Sequence, residues 1–146
     1  MPLRKNAKLE LLRGVSLFDE CSNADLGRLA RLTEEIDYKA GTEVIRQGEK
    51  GREFFVVVSG QLEVLRNGKR VAVVGPGDHI GEFALLSGST RNATVKALES
   101  VHLLWMNGRA FTEAIDAMPG LWRKLAVALA DRAEKSAIHN AASGTR

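Results

Sequence analysis

The residues of this chain best suited to chemistry lie between Gly81 and Val95, in the order Gly-Glu-Phe-Ala-Leu-Leu-Ser-Gly-Ser-Thr-Arg-Asn-Ala-Thr-Val. One acid, Glu82, and one base, Arg91, are separated by an apolar turn and a short Ser/Gly loop. A helical turn that begins at a glycine presents unpaired backbone N–H groups, which suit a phosphate. Arg91 could neutralise that phosphate through charge-assisted bonds, while Glu82 could accept a hydrogen bond from a sugar hydroxyl.

Taken one at a time, these residues have ordinary explanations. An exposed ion pair between Glu82 and Arg91 would contribute little to stability, and Gly81 is a common turn residue. The ordered combination, rather than any single residue, favours a binding site for a ligand that carries a phosphate.

The same stretch resembles the phosphate-binding cassette of the cyclic-nucleotide-binding domain family, whose pattern is roughly Gly-Glu-x-Ala-Leu-(apolar), a short loop, and Pro-Arg-x-Ala-Thr-Val. The match has no gap, but Thr90 stands where proline is usual, and Asn92 is also unusual. The resemblance implies that the cassette binds a cyclic nucleotide through Gly81, Glu82, Phe83, Ala84, Arg91, Asn92 and Ala93.

Length and composition predict a single globular domain. The 146 residues are 45% hydrophobic and 27% charged, which is ordinary for a soluble protein. The one cysteine, Cys21, forms no internal disulfide, which fits a reducing, cytoplasmic compartment, and its acidic neighbours disfavour a reactive thiolate. Since no apolar run is long enough to span a lipid bilayer, no membrane partner is expected.

The net charge of +3, from 21 basic and 18 acidic side chains, is unevenly distributed. Residues 1–13 carry four basic and one acidic side chain, and residues 121–146 carry five basic and two acidic ones. Residues 14–120 therefore hold 12 basic and 15 acidic groups, a net charge of −3. An acidic central part argues against a nucleic-acid-binding face.

Helical patterns flank the centre of the chain on both sides. Ser22 and Asn107 are suitable N-caps, and Pro119 suits the first turn of a helix. The predicted helices cover residues 6–13, about 22–33, 109–117 and about 119–140.

Between these helices the pattern changes to short β segments separated by glycines. The predicted strands cover residues 35–39, 43–47, 54–58, 61–66, 69–74, 78–80, 92–98 and 101–106. The pair Asn67-Gly68 is the strongest hairpin signal in the chain. Many short strands with regular turns indicate a sandwich or a closed barrel.

Further segments strengthen the resemblance to the cyclic-nucleotide-binding domain family, namely residues 41–48, 55–60 and 75–78. The family implies a mainly β fold: an eight-stranded antiparallel jelly-roll barrel, preceded by helices and followed by two more. On this basis we expect one domain, residues 1–146, with helices at about 6–33, the barrel at about 34–106 and C-terminal helices at about 107–140.

The last predicted helix is a candidate lid for the ligand. Two rows of apolar residues recur at every fourth position, Leu121/Leu125/Leu129 and Trp122/Ala126/Ala130. Core packing is the simplest explanation of these rows. The resemblance implies instead that one side of this helix closes over a purine base, with Leu129 as a lid residue and Ser136 at a base-contacting position.

The identity of the base depends on few residues. Family members that prefer cyclic GMP (cGMP) often carry threonine where this chain has Asn92. Asparagine can hydrogen-bond to either the phosphate or the base, so it does not separate the two ligands. We expect cyclic AMP (cAMP), with cGMP as the alternative.

No set of residues indicates catalysis. The three histidines, His79, His102 and His139, are far apart in the sequence and do not form a metal-ligand motif. No Ser–His–Asp arrangement can be assigned either. We expect a binding module that is not an enzyme and holds no metal, with a jelly-roll enzyme and a ligand-free dimerisation module as alternatives.

The binding interpretation predicts a regulatory sensor. Phosphate capture by Arg91 and the backbone amides of residues 81–85 would draw the cassette inward, and the C-terminal helix would then close over the base. The expected partners are a cyclic nucleotide, an unidentified effector protein or domain, and a second copy bound through the last helix. The chain is either a free-standing sensor or a piece of a larger cAMP-regulated protein.

Overall fold

The computed structural model describes residues 3–81, 90–118, 120–127 and 130–131. Its helices are α1 (Lys5–Arg13), α2 (Asn23–Leu32), α3 (Gly108–Ala117) and a helical segment at residues 120–127, with a short 3-10 turn at Ser16–Phe18. Helices α1, α2 and α3 each begin and end within about one residue of the helix expected from the sequence.

Polar side chains fix where two of these helices begin. Ser22 Oγ accepts a hydrogen bond from the Asp25 N–H at 3.1 Å, and Asn107 Oδ1 accepts one from the Ala110 N–H at 2.8 Å. Each bond satisfies a backbone donor that has no partner within its helix. The N-caps of α2 and α3 are therefore the residues that the sequence indicates.

Eight strands lie within the described residues: β1 (Glu34–Tyr38), β2 (Glu43–Ile45), β3 (Glu53–Ser59), β4 (Leu62–Arg66), β5 (Lys69–Val74), β6 (His79–Ile80), β7 (Thr94–Ala97) and β8 (Val101–Asn107). They form two four-stranded antiparallel sheets with the orders β1-β8-β3-β6 and β2-β7-β4-β5. This arrangement confirms a mainly β fold with flanking helices.

The eight-stranded barrel that the family resemblance implies is not confirmed, because the strands form two separate sheets. In the described part of the chain, no strand of one sheet is hydrogen-bonded to a strand of the other. Two of the edge strands are very short, since β6 has two residues and β2 has three with an irregular register.

The β4–β5 connection is the hairpin that the sequence predicts. Asn67 and Gly68 both have positive φ, 54° and 81°. Positive φ at both central residues is the requirement of a type I′ turn, whose twist matches that of the flanking strands. The Gln47 side chain holds this turn through two hydrogen bonds, to the Asn67 side chain at 2.8 Å and from the Asn67 N–H at 2.9 Å.

Strand β3 separates two hydrophobic clusters because its side chains alternate between its faces. Phe54 and Val56 pack with the helices, in a cluster that includes Phe18 and Phe111. Phe55 and Val57 point the other way, into a cluster formed by residues of both sheets. The helices therefore cover one face of the β1-β8-β3-β6 sheet, and the second sheet covers the other.

The C-terminal helical segment packs by one face only. Leu121 and Leu125 are buried in the helix-side cluster, as the core-packing interpretation expects. Trp122 is 45% exposed, and Ala126 and Ala130 are also exposed. Leu129, the third member of the leucine row, lies outside the described residues.

Two strands are shorter than the sequence predicts by two residues or more. Strand β2 ends at Ile45 rather than at residue 47, because the Gln47 N–H donates to the Thr94 side-chain oxygen at 3.0 Å. Strand β7 begins at Thr94 rather than at residue 92. The two chain segments that leave these strands meet at Arg91.

Candidate ligand site around Arg91

The backbone of Arg91 is held by the connection between β2 and β3. The Gly48 N–H donates to the Arg91 carbonyl, and the Arg91 N–H donates to the Glu49 carbonyl, both at 2.9 Å. This reciprocal pair fixes the residue before its side chain makes any contact.

The Arg91 side chain is almost completely buried, with 5% of its surface exposed. Its guanidinium donates from Nη1 to the Gly81 carbonyl and from Nη2 to the Glu53 carbonyl, both at 2.9 Å. Arginine stays protonated in proteins, so a full positive charge is present at this buried position. Carbonyl oxygens orient the guanidinium but carry no net charge to balance it.

Among the described residues, the Glu53 carboxylate forms an ion pair with this guanidinium. Its Oε1 lies 3.7 Å from Arg91 Nη2, and the Glu53 side chain is 50% exposed. That distance is an ion pair rather than a hydrogen bond. A half-exposed carboxylate is screened by water, so the pair itself contributes little to stability.

Two glycines leave the space that the guanidinium occupies. A Cβ on Gly51 would lie 2.3 Å from Arg91 Nε, and a Cβ on Gly81 would lie 2.5 Å from the Glu53 carbonyl oxygen. Gly81 also has φ of +101°, which other residues rarely adopt. Gly81 therefore allows its backbone to lie close to Glu53 and Arg91, while its close approach to a ligand stays a prediction.

Gly51 and Glu53 are absent from the residues selected by sequence, although both contact Arg91. They are about 40 positions away in the chain, so the spacing around Arg91 carries no sign of them. One feature of the sequence could have pointed to this region: a second glycine, Gly51, follows Gly48 by three residues just before a predicted strand.

The two residues after Arg91 differ in exposure. Asn92 is exposed, and its carbonyl accepts a hydrogen bond from Arg66 Nε at 3.3 Å. Ala93 is buried. Arg66 thus ties the β4–β5 hairpin to the segment that carries Arg91. The remaining predicted site residues lie outside the described residues: Glu82, Phe83, Ala84, Leu129 and Ser136.

A second polar cluster lies on strands β1 and β8 of the β1-β8-β3-β6 sheet. His102 on β8 contacts two carboxylates on β1: Nδ1 lies 2.5 Å from Asp37 Oδ1, and Nε2 lies 2.7 Å from Glu35 Oε1. The Glu35 carboxylate also accepts two bonds from the Leu3 N–H, at 2.9 and 3.1 Å. The sequence pattern gave no sign of these contacts, because 65 residues separate His102 from Asp37.

The geometry of this cluster favours a protonated imidazole, because both ring nitrogens face carboxyl groups. A neutral histidine has one N–H, so it can donate to only one of two carboxylates. Burial is the largest influence on the pKa of His102 and lowers it, but the hydrogen bonds and charges of Asp37 and Glu35 outweigh burial and raise that pKa. For the acid Glu35 the signs are reversed. Burial is the largest influence and raises the pKa of Glu35, but the Leu3 N–H, His102 and Lys8 together outweigh burial and lower that pKa.

The surroundings of Cys21 do not favour a reactive thiol. Burial, followed by the charges of Asp25 and Asp19, raises the pKa of the Cys21 thiol, which disfavours the thiolate. Within the described ranges, no group of three or more His, Cys, Asp or Glu residues is placed to hold a metal ion. The helices in the same ranges are all too short or too polar to cross a lipid bilayer.

The sequence matches the family described as the cyclic nucleotide-binding domain over residues 35–118. A cAMP-dependent protein kinase regulatory subunit of Schizosaccharomyces pombe is 35% identical over 113 residues, covering 74% of this chain and 27% of that protein. A Pycsar effector protein of Xanthomonas perforans is 38% identical over 106 residues, covering 72% of this chain and 35% of that protein. The chain thus spans about a third or less of the length of these curated relatives.

Solved structures share the fold. The catabolite activator protein of Thermus thermophilus has a TM-score of 0.77 at 26% identity, over 84% of this chain and 60% of that one. The regulatory domain of the Toxoplasma gondii protein kinase A, crystallised with cAMP, has a TM-score of 0.77 at 22% identity, over 90% of this chain and 50% of that one. Because the family match covers more than half of the residues and includes Arg91 and both sheets, the chain belongs to the cyclic nucleotide-binding domain family.

Proposed function

We propose that this chain binds cAMP in preference to cGMP, with the Arg91 guanidinium paired to the cyclic phosphate. The observation that carries the proposal is a buried guanidinium held in place by two carbonyls between Gly51 and Gly81. Its orientation is fixed before a ligand arrives, so binding costs little further side-chain entropy. A phosphate is the kind of anion whose charge and geometry such a group recognises.

Most other contacts of the proposed complex come from residues outside the described part, and the rest come from Gly81, Asn92 and Ala93. We propose that Glu82 accepts a hydrogen bond from the ribose, and that the backbone amides of residues 81–85, with Phe83 and Ala84, line the phosphate. Leu129 and Ser136 are proposed to contact the base. Asn92 and Ala93 complete the set, and the exposure of Asn92 leaves its side chain available to a ligand.

We propose a regulatory role without catalysis for the whole chain, as one domain of residues 1–146 in the cytoplasm. In this proposal the two sheets enclose the ligand as a jelly-roll barrel, and closure of the C-terminal helix over the base passes the signal to an effector protein or domain. A ligand shifts such an equilibrium only by its preference for the closed state. The chain could act alone or within a larger cAMP-regulated protein.

A homodimer through the C-terminal helix is a second part of the proposal. Trp122 is 45% exposed and Val127 56% exposed on a segment whose opposite face is packed against the domain. Large exposed apolar side chains on one helix favour an interface with another protein surface. Sedimentation of the chain with and without cAMP tests this part: a monomer at all concentrations contradicts it.

Calorimetric titration of the chain with cAMP, cGMP and adenosine tests the binding proposal. We expect saturable binding of both cyclic nucleotides, tighter for cAMP, and much weaker binding of adenosine, which lacks the phosphate. Equal affinity for cAMP and adenosine would contradict a role for the phosphate. Release of AMP during the titration would contradict the proposal that the chain is not an enzyme.

A further inference from the structure

Glu53, the first residue of β3, contacts Arg91 through both its backbone and its side chain. Its carbonyl oxygen accepts a hydrogen bond from Arg91 Nη2 at 2.9 Å, and its carboxylate Oε1 lies 3.7 Å from the same nitrogen. The two contacts differ in kind. The first is a hydrogen bond that orients the guanidinium, while the second is a longer, purely electrostatic contact.

We propose that the Glu53 carboxylate is an internal counter-anion that competes with the ligand's phosphate for Arg91 and thereby limits the affinity of the site. The inference rests on the proposed function, because it names what sets the affinity of that same site for anions.

The orientation of Arg91 does not depend on this carboxylate. Two carbonyls hold the guanidinium at 2.9 Å each, and Gly51 and Gly81 leave the space it fills. The Glu53 side chain is half exposed, so it can move towards water without breaking a hydrogen bond to Arg91. Removing its charge should therefore leave the guanidinium in place.

A phosphate at Arg91 would bring a second negative charge close to the first. Like charges at short range repel, and the repulsion weakens binding unless one of the charges moves away or is neutralised. In the free protein the carboxylate also partly balances the buried positive charge, so an arriving phosphate gains less than it would at an unpaired arginine. Both effects act in the same direction and lower the affinity.

The test compares Glu53→Gln with Glu43→Gln in the full chain, by titration with cAMP and with uncharged adenosine. Glu43 on β2 is a matched control because its side chain is also half exposed and its carboxylate pairs with another arginine, Arg46, at 3.2 Å. We expect Glu53→Gln to tighten cAMP binding by about threefold to tenfold, the range for a half-exposed charge a few ångströms away. Adenosine affinity should stay unchanged, and Glu43→Gln should change either affinity by less than about twofold.

Each outcome decides the inference. Unchanged or weaker cAMP binding by Glu53→Gln overturns it, as does an equal gain for adenosine, because the effect would then not act on the phosphate. If the wild-type chain fails to bind cAMP but Glu53→Gln binds it, the competition stands and the proposed function of the natural chain fails. If neither binds, both are wrong. The thermal unfolding midpoint of each variant confirms that the amide substitution leaves the fold intact.

Discussion

His102 on β8 and Glu35 on the neighbouring β1 are joined across the sheet, with His102 Nε2 2.7 Å from Glu35 Oε1. Asp37 lies against the other ring nitrogen, Lys8 of α1 contributes its charge, and the Leu3 N–H donates to Glu35. One imidazolium thus connects the two strands and, through Glu35, the N-terminal segment.

This cluster predicts a pH dependence of folding stability. The folded pKa of His102 is raised above its ordinary 6.5, so its stabilising contribution is complete below that pH and is lost as the pH rises through the folded pKa. The folded pKa of Glu35 is lowered below its ordinary 4.5, so its contribution is present above 4.5 and is lost as the pH falls through the folded pKa. The cluster therefore contributes most between about pH 4.5 and 6.5.

Urea unfolding between pH 4 and 9 measures this dependence, and we expect His102→Gln to flatten it above about pH 6.5. Proton NMR titration of His102 should give a pKa above the ordinary value. A His102 pKa at or below 6.5 would contradict the ion-pair geometry.

Gly51→Ala should weaken cAMP binding by about tenfold or more while lowering the free energy of unfolding by no more than about 1 kcal/mol. The added Cβ would lie 2.3 Å from Arg91 Nε, so the guanidinium must leave its position. Calorimetry and thermal unfolding together separate the two effects.

Gly75→Ala is the matched control for this substitution, because a Cβ there meets only the Gln61 side chain, at 3.8 Å. The displacement of Arg91 predicts further that Gly51→Ala adds no stability cost in an Arg91→Ala background. Equal costs in both backgrounds would show that Gly51 acts through something other than Arg91.

Arg91→Glu should cost at least about 3 kcal/mol of cAMP binding free energy, because it removes the cation that pairs with the phosphate and adds a repelling charge. Arg28→Glu, at an exposed position of α2, makes the same change of charge far from the site and should leave binding nearly unchanged. Calorimetry gives the cAMP affinities of the two variants. Near-equal affinities would show that Arg91 does not bind the phosphate.

Leu125→Ala should lower the free energy of unfolding by about 2–4 kcal/mol, because it opens a cavity in the helix-side cluster. Trp122→Ala, on the exposed face of the same segment, should cost less than about 1 kcal/mol in the monomer. Chemical unfolding at low protein concentration makes the comparison. Similar costs for the two would show that the segment is not packed by one face alone.

The features that the sequence predicted correctly are those set by neighbouring residues. Ser22, Asn107 and the Asn67-Gly68 pair each act within three positions of themselves, so their effect can be read without knowledge of the fold. Strand ends were predicted less well. The ends of β2 and β7 depend on a bond between Gln47 and Thr94, 47 residues apart.

The same distinction separates the parts of the candidate site. Arg91 and Gly81 belong to one local pattern, and the structure brings them within a hydrogen bond of each other. Gly51 and Glu53 reach Arg91 because the β2–β3 connection, through Gly48 and Glu49, is hydrogen-bonded to the Arg91 backbone. Closure into a barrel likewise depends on contacts between distant segments, and the two separate sheets do not confirm it.

The alternation of side chains along β3 places the candidate site at the end of a strand shared by both hydrophobic clusters. Glu53 contacts Arg91, Phe54 contacts the helices, and Phe55 contacts the second sheet, in three consecutive residues. A displacement of Glu53 on ligand binding would therefore reach both clusters within one strand, independently of the contacts proposed between the base and the C-terminal helix. Methyl NMR would detect this as simultaneous shifts of Val56 and Val57, so a ligand held by one arginine could be sensed on both faces of the sheet.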